Sequence, residues 1–208
     1  MVSEIAPDVY DITVHDDGNG RYRAFFFDFP VPTLVDTGLA DTTDALVDGL
    51  EEIGTDPERV VITHGDGDHI GGLEAVRDRY DVETWVPAQT DVDESLVDRR
   101  YSSGDTIGPF SAVHVPGHTR DNHALIDEES GIAVLGDAMF GSDARGLPAG
   151  YFVLPTGFYS EDLLEADENL ERLLEFEFDV GLVYHGSSVR SDASSKLSEF
   201  VDFVGKPQ

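Results

Sequence analysis

Between Thr63 and Gly72 the chain reads Thr63-His64-Gly65-Asp66-Gly67-Asp68-His69-Ile70-Gly71-Gly72. Two imidazoles and two carboxylates fall within six residues, among glycines that let the backbone bend until side chains converge on one point. Neutral imidazole and ionised carboxylate are donors that a divalent transition metal accepts. Without a cation, carboxylates crowded this closely repel one another, so an idle polar turn is a poor account of the run. A calcium loop is excluded: counted from Asp66, the pattern needs Asp or Asn fifth and Glu twelfth, and Ile70 and Arg77 stand there.

Three further segments offer one donor each just past a predicted strand. They are His118 in Val115-Pro116-Gly117-His118-Thr119, Asp137 in Leu135-Gly136-Asp137, and His185 in Val183-Tyr184-His185-Gly186. Alone, a histidine after a strand is more often a capped or core residue than a ligand. Taken with the first run, all at strand termini, they point to metal binding, because layered α/β structures bind ligands at the carboxyl ends of their strands. The sequence contains no cysteine, which excludes disulfides, thiolate sites and cysteine nucleophiles and leaves His, Asp and Glu as the strong donors.

The elements that must position these donors follow from hydrophobic periodicity. Strands are expected at 9–14, 22–27, 33–35, 60–63, 82–86, 112–115, 123–126, 132–135 and 180–184. The run Asp16-Asp17-Gly18-Asn19-Gly20 predicts a hairpin turn between the first two. Helical stripes are Leu46, Val47, Leu50 and Ile53 before Gly54, then Leu73, Val76 and Tyr80. A third comprises Leu163, Leu164, Leu170, Leu173 and Leu174, with Ser160 expected as N-cap, and a fourth Leu197, Phe200, Val201 and Val204. Strands interrupted by helices predict an α/β (α+β) chain with sheets covered by helices. The length of 208 residues suits a single domain, 1–208. The stretch 137–159, rich in glycine and aromatics, has no clear period and is expected to be a functional loop or lid.

Charge narrows the class. Asp and Glu total 43 against 13 Lys and Arg, a formal net charge of −30, and Lys196 and Lys206 are the only lysines. Such a domain repels itself in dilute buffer. At molar salt the Debye length falls to about 3 Å and most of that penalty is screened. The composition resembles proteins of extreme halophiles, so a halophilic, archaeal chain in a high-salt cytoplasm is expected. Nucleic acid is not an expected partner, because no basic stripe exists. A membrane is not expected either: no apolar run approaches the length of a span, and residues 1–8 have no basic patch or apolar stretch of a signal peptide.

The donor series, with Asp36-Thr37-Gly38 closing a preceding strand, resembles the metallo-β-lactamase superfamily, whose signature runs H-x-H-x-D-H, His, Asp, His. The resemblance extends over about residues 9–186. It implies a four-layer αββα sandwich and a dinuclear site in which His64, Asp66 and His118 hold one metal, Asp68, His69 and His185 the other, and Asp137 bridges. Asp36 would then steady the ligand loop from behind, a turn-capping role being the alternative. The family's usual second histidine is Asp66 here, which makes the site less positive and more tolerant of iron or manganese beside the expected zinc.

By the same resemblance the chain is a metal-dependent hydrolase of an ester-like bond, a thioester or lactone, in the manner of glyoxalase II-like and lactonase members. A metal-bridging hydroxide would be the nucleophile, with Asp68 as the catalytic proton carrier. A small-molecule substrate is the expected partner, with Arg120, Arg145, Tyr151 and Tyr159 as candidate contacts, and a homodimer is left open. Two readings stay beside it: a non-haem iron redox module, flavodiiron-like or sulfur dioxygenase-like, and a phosphodiesterase or nuclease of the same fold. His15, His114 and His123 are read as surface or core histidines.

Overall fold

The computed structural model describes residues 1–16 and 21–203, in two compact units, 1–101 and 102–208. The predicted turn residues Asp17–Gly20, and Val204 to Pro207 at the end of the last stripe, lie outside the described residues.

The first unit is built on a seven-stranded mixed sheet in chain order. Its strands are β1 (Val2–Ala6), β2 (Val9–Asp16), β3 (Arg21–Phe27), β4 (Thr33–Val35), β5 (Arg59–Val61), β6 (Glu83–Pro87) and β7 (Arg99–Tyr101). β1 to β4 pair antiparallel, and β4 to β7 pair parallel. The change of direction follows from the connections. Short links join the antiparallel strands, whereas the β4–β5 link contains α1 (Thr43–Ile53) and the β5–β6 link contains α2 (Gly67–Ile70) and α3 (Leu73–Arg79), long enough for a parallel crossover.

The predicted stripe of α1 puts Leu46 and Leu50 into one apolar cluster with Ile12, Ala24, Phe26, Leu34, Val60 and Ile62 of the sheet and with Leu73 and Val76 of α3. Each such side chain contributes about 1.5–3 kcal/mol by leaving water. The helix stops at Gly54, whose N–H returns to the Leu50 carbonyl. Phe25 and Phe27 alternate onto the opposite face of β3 and are also fully buried, so this strand reads as a continuous apolar run rather than an alternating one.

The second unit carries a five-stranded sheet in the order β14-β11-β10-β9-β8, with β8 (Thr106–Ile107), β9 (Phe110–His114), β10 (His123–Asp127), β11 (Ile132–Val134) and β14 (Val180–Leu182). A separate ribbon pairs β12 (Phe140–Gly141) with β13 (Phe152–Val153) inside the stretch expected as a loop. Its core gathers Val113, Val115, Ala124, Ile126, Ala133 and Leu135 with Ala166 and Leu170 from the segment after 160 and with Ala193 and Leu197 of α5 (Ala193–Asp202).

The third predicted helix is corrected in two respects. α4 spans only Leu163–Asn169, and Leu170–Glu175 tightens into a 3₁₀ helix, which takes Leu174 off the stripe; Leu164, within α4, is also exposed. Its N-cap is Asp162 rather than Ser160. The Asp162 carboxylate accepts from the N–H groups of Leu164 and Glu165, and its charge suits the helix start better than a hydroxyl. Short strands at 2–6, 99–101 and 106–107 were not expected, being too brief or too charged to show a period. Among the described residues, no helix is long and apolar enough to cross a membrane.

Candidate functional site

Strand direction decides where the donors stand. β4 and β5 run parallel, so Asp36, directly after β4, and His64, three residues after β5, sit at the same edge of the first sheet. In the second unit, β9 is antiparallel to β10, β10 to β11, and β11 is parallel to β14. β9, β11 and β14 therefore point the same way, and their carboxyl ends present His118, Asp137 and His185 along one sheet edge.

In the first unit, the Asp36 carboxylate is fully buried and accepts three hydrogen bonds. They come from the Thr63 N–H and the Thr63 hydroxyl, both at 2.7 Å, and from His69 Nδ1 at 2.8 Å. A carboxylate only accepts, so His69 carries a proton on Nδ1, which in the neutral ring leaves the lone pair on Nε2. The Thr63 hydroxyl spends its hydrogen on Asp36, so at 3.1 Å from His64 Nδ1 it accepts, which places the His64 proton on Nδ1 as well. Both rings thus turn a basic Nε2 away from their anchors, the form a histidine needs as a metal ligand. Their centroids are 4.0 Å apart. His64 Nε2 lies 3.7 Å from Asp66 Oδ2, and His69 Nε2 lies 4.0 Å from Asp68 Oδ2.

Asp36 adopts φ +60, the left-handed region that costs a side-chain-bearing residue energy. The strain is held by the contacts of the carboxylate and by the Thr37 N–H and hydroxyl, which donate to the His69 carbonyl at 2.7 and 2.9 Å. Of the two roles weighed for Asp36, steadying the ligand loop is the one its bonds perform. The loop packs on this strand end so closely that a Cβ on Gly71 would lie 2.6 Å from the Ala40 nitrogen and 2.4 Å from the Gly67 carbonyl oxygen. The donor run is not an open loop before a helix: Asp68 and His69 belong to the single-turn α2.

In the second unit, His118 Nε2 and His185 Nε2 each stand 3.3 Å from the same oxygen, Asp137 Oδ2. His118 and Asp137 are buried, and His185 is half-buried. The His118 loop is fastened to the start of α4: Glu161 N–H donates to the His118 carbonyl and Asp162 N–H to the Gly117 carbonyl, both at 2.8 Å. Gly117 has φ +130, and a Cβ there would lie 2.1 Å from the Ala166 nitrogen. The His185 turn is tied to the 140–153 ribbon, since Gly141 N–H donates to the His185 carbonyl and Ser187 donates twice to Asp143.

Asn122 was missed from the sequence. It is fully buried, and its amide joins the His118 and Asp137 segments. The signal available was weak: a polar side chain directly before a predicted strand, four positions after His118.

The candidate substrate contacts divide. Arg145 donates to the Leu154 carbonyl at 3.0 Å, an internal brace. Arg120 is exposed and lies 3.6 Å from Glu161, beside the His118 loop. Tyr151 is exposed with Lys196 Nζ 5.5 Å from its ring centroid. Tyr159 is exposed and meets Phe158, which is 87% exposed, edge to face at 4.9 Å. His114 and His123 are cross-strand partners with ring centroids 4.8 Å apart. Burial pushes the His123 imidazole down to about 4, and its Nδ1 is 2.8 Å from the Asp121 carbonyl.

Known proteins resemble this chain in sequence and fold. Residues 32–95, which include Asp36 and the whole His64–His69 run, match the family model of the metallo-beta-lactamase superfamily. The chain is 27% identical over 179 residues to an atrochrysone carboxyl ACP thioesterase of Passalora fulva, covering 84% of this chain and 48% of that protein. It is 27% identical over 115 residues to a hydroxyacylglutathione hydrolase of Rhodopseudomonas palustris, covering 52% and 45%. The chain spans about half the length of the curated relatives it matches. Among solved structures, a metallo-beta-lactamase from Pontibacter korlensis superposes with a TM-score of 0.75 at 20% identity, covering 97% of this chain and 96% of that one. The chain therefore has the metallo-β-lactamase fold, with the superfamily's family model matching its residues 32–95.

Proposed function

We propose that the chain is a metal-dependent hydrolase of an ester-like bond, with a thioester as the first substrate class to test. His64, Asp66 and His118 would hold one divalent cation, Asp68, His69 and His185 a second, and Asp137 both. The observation that carries the reading is the pair of imidazole Nε2 atoms at equal distance, 3.3 Å, from one oxygen of Asp137. Two imidazole nitrogens and a carboxylate oxygen gathered in one place suit a transition metal. The Asp36 lock on His69 supports it, because a ligand imidazole is commonly oriented by a carboxylate on its other nitrogen.

When bound, divalent cations supply Lewis acidity and bring the ionisation of water toward neutral pH. The protein's own residues do the rest. A carboxylate oxygen of Asp68, partly open to solvent, takes the proton of the attacking water and returns it to the leaving group. Arg120, Tyr151 and Tyr159 are exposed and remain the candidate substrate contacts, whereas Arg145 braces the chain from within. Thioesters are placed first because a thioesterase and a hydroxyacylglutathione hydrolase are among the relatives. The net charge of −30 disfavours a polyanionic nucleic-acid substrate.

A second reading, iron-dependent redox chemistry, is favoured by one feature, the hard donor Asp66 in place of the family's usual histidine. Metal quantification on protein purified in molar salt, followed by thioester, lactone and phosphodiester panels, separates the two. Zinc with thioester or lactone turnover is the expected result. Iron with oxygen consumption favours the second reading, and a protein that takes up no zinc, iron or manganese overturns both.

A further inference from the structure

His118 lies on the loop between β9 and β10, and Asp137 lies beyond β11, so two separate backbone segments must be held in register to keep their side chains 3.3 Å apart. One side chain bonds to both. Asn122 Oδ1 accepts the backbone N–H of Asp137 at 2.9 Å, and Asn122 Nδ2 donates to the Val115 carbonyl at 3.1 Å. The Val115 N–H in turn donates to the Asn122 carbonyl at 2.9 Å, closing the base of the His118 loop. We infer that Asn122 is a positioning residue that sets His118 and Asp137 for a shared cation, an inference that rests on the metal-binding reading above.

The chemistry requires an amide. The buried site asks one short side chain to accept from an N–H and donate to a carbonyl at once. Aspartate keeps the acceptor but turns a carboxylate oxygen on the Val115 carbonyl, which repels it. An apolar residue leaves both the Asp137 N–H and the Val115 carbonyl without this bond in a buried setting. Aspartate thus loosens the Val115 end of the loop, and an apolar residue frees the Asp137 segment as well, while β9, β10 and their apolar partners stay paired. The cost should therefore fall on metal affinity more than on the fold.

The test is zinc affinity by chelator competition and the visible absorption of the cobalt(II)-loaded protein, both in molar potassium chloride, for wild type, Asn122→Asp and Asn122→Ser. The serine variant is small and keeps a hydroxyl, so it guards against misfolding of the aspartate variant. The expected result is a loss of about 10- to 100-fold in zinc affinity with an altered cobalt spectrum and an unchanged far-ultraviolet circular dichroism spectrum. Affinity within twofold of wild type in a folded variant overturns the inference while leaving the metal reading intact. Failure of both variants to fold also overturns it, by making Asn122 a determinant of folding. A wild-type protein that binds neither metal removes the metal reading and this inference with it.

Discussion

The Asp36 carboxylate reaches His69 Nδ1 at 2.8 Å from a backbone held at φ +60. A strained residue is thus spent on fixing the tautomer of one imidazole, and the same carboxylate anchors Thr63, which fixes the tautomer of His64. A single buried anion orders two candidate ligands.

Asp36→Asn tests this directly. Asparagine tolerates the left-handed backbone, and its oxygen can still accept from the Thr63 N–H. Its amide nitrogen would face His69 Nδ1 and drive the ring proton to Nε2. We expect a folded protein with zinc affinity reduced by about 10- to 100-fold, read by chelator competition. Asp36→Ala removes all three bonds and should in addition destabilise by about 2–4 kcal/mol in urea unfolding.

Asp68→Asn keeps the shape of the side chain but cannot carry a proton. Thioester or lactone turnover should fall by about 10²- to 10⁴-fold while thermal stability is maintained, measured by initial rates and melting on the same preparation. Turnover equal to wild type would remove Asp68 from the mechanism.

Gly117→Ala should be among the most damaging small substitutions. The new Cβ would lie 2.1 Å from the Ala166 nitrogen at a φ of +130. Either the His118 loop or α4 must move, and we expect a loss of about 3 kcal/mol or more by urea unfolding.

His123 gives the chain a specific pH response. Its folded-state value of about 4 lies below the 6.5 of an exposed ring because burial disfavours the cation. Between these values the unfolded chain binds the proton and the folded chain does not. The contribution is therefore whole above pH 6.5 and is lost as pH falls toward 4. At about 1.4 kcal/mol per unit it amounts to about 3 kcal/mol at most. Carboxylate protonation in the same range relieves repulsion and runs the other way, so the comparison is with His123→Gln. The variant's unfolding free energy should fall less steeply from pH 6.5 to 4.

The acidic excess predicts a salt dependence opposite to that of a protein held by surface ion pairs. The net charge of −30 is screened at molar salt. The melting temperature should rise steadily between 0.1 and about 2 M potassium chloride, and a flat or falling curve would contradict the electrostatic account.

Most of this was legible before any coordinates. β4 was expected at its observed bounds, α1 was expected to end at Gly54, and the apolar stripes of α1 and α3 are the ones that pack. Period and capping chemistry are local, and local signals survive in a single chain. The failures are local in another sense. Leu174 fits an α-helical stripe, yet the helix tightens after Asn169 and leaves it at the surface. Asp162 and Ser160 compete for one helix start, and the outcome depends on the distant His118 loop, whose Gly117 carbonyl accepts the Asp162 N–H. β8 and β12 are two residues long, too short for alternation to appear.

The sequence by itself determined the kinds of donor, their order, the absence of thiolate chemistry and the charge that salt must screen, because these are properties of composition and spacing. Tertiary structure decided which donors share an edge, since strand direction is known only once β9, β11 and β14 are seen to run the same way. It also decided which nitrogen of His64 and His69 carries the proton and that Asn122 ties two distant segments together. Apart from the contact between the neighbours Thr63 and His64, each of these depends on a partner 7 to 33 residues away in the chain, at distances below 3.2 Å, which no local pattern encodes.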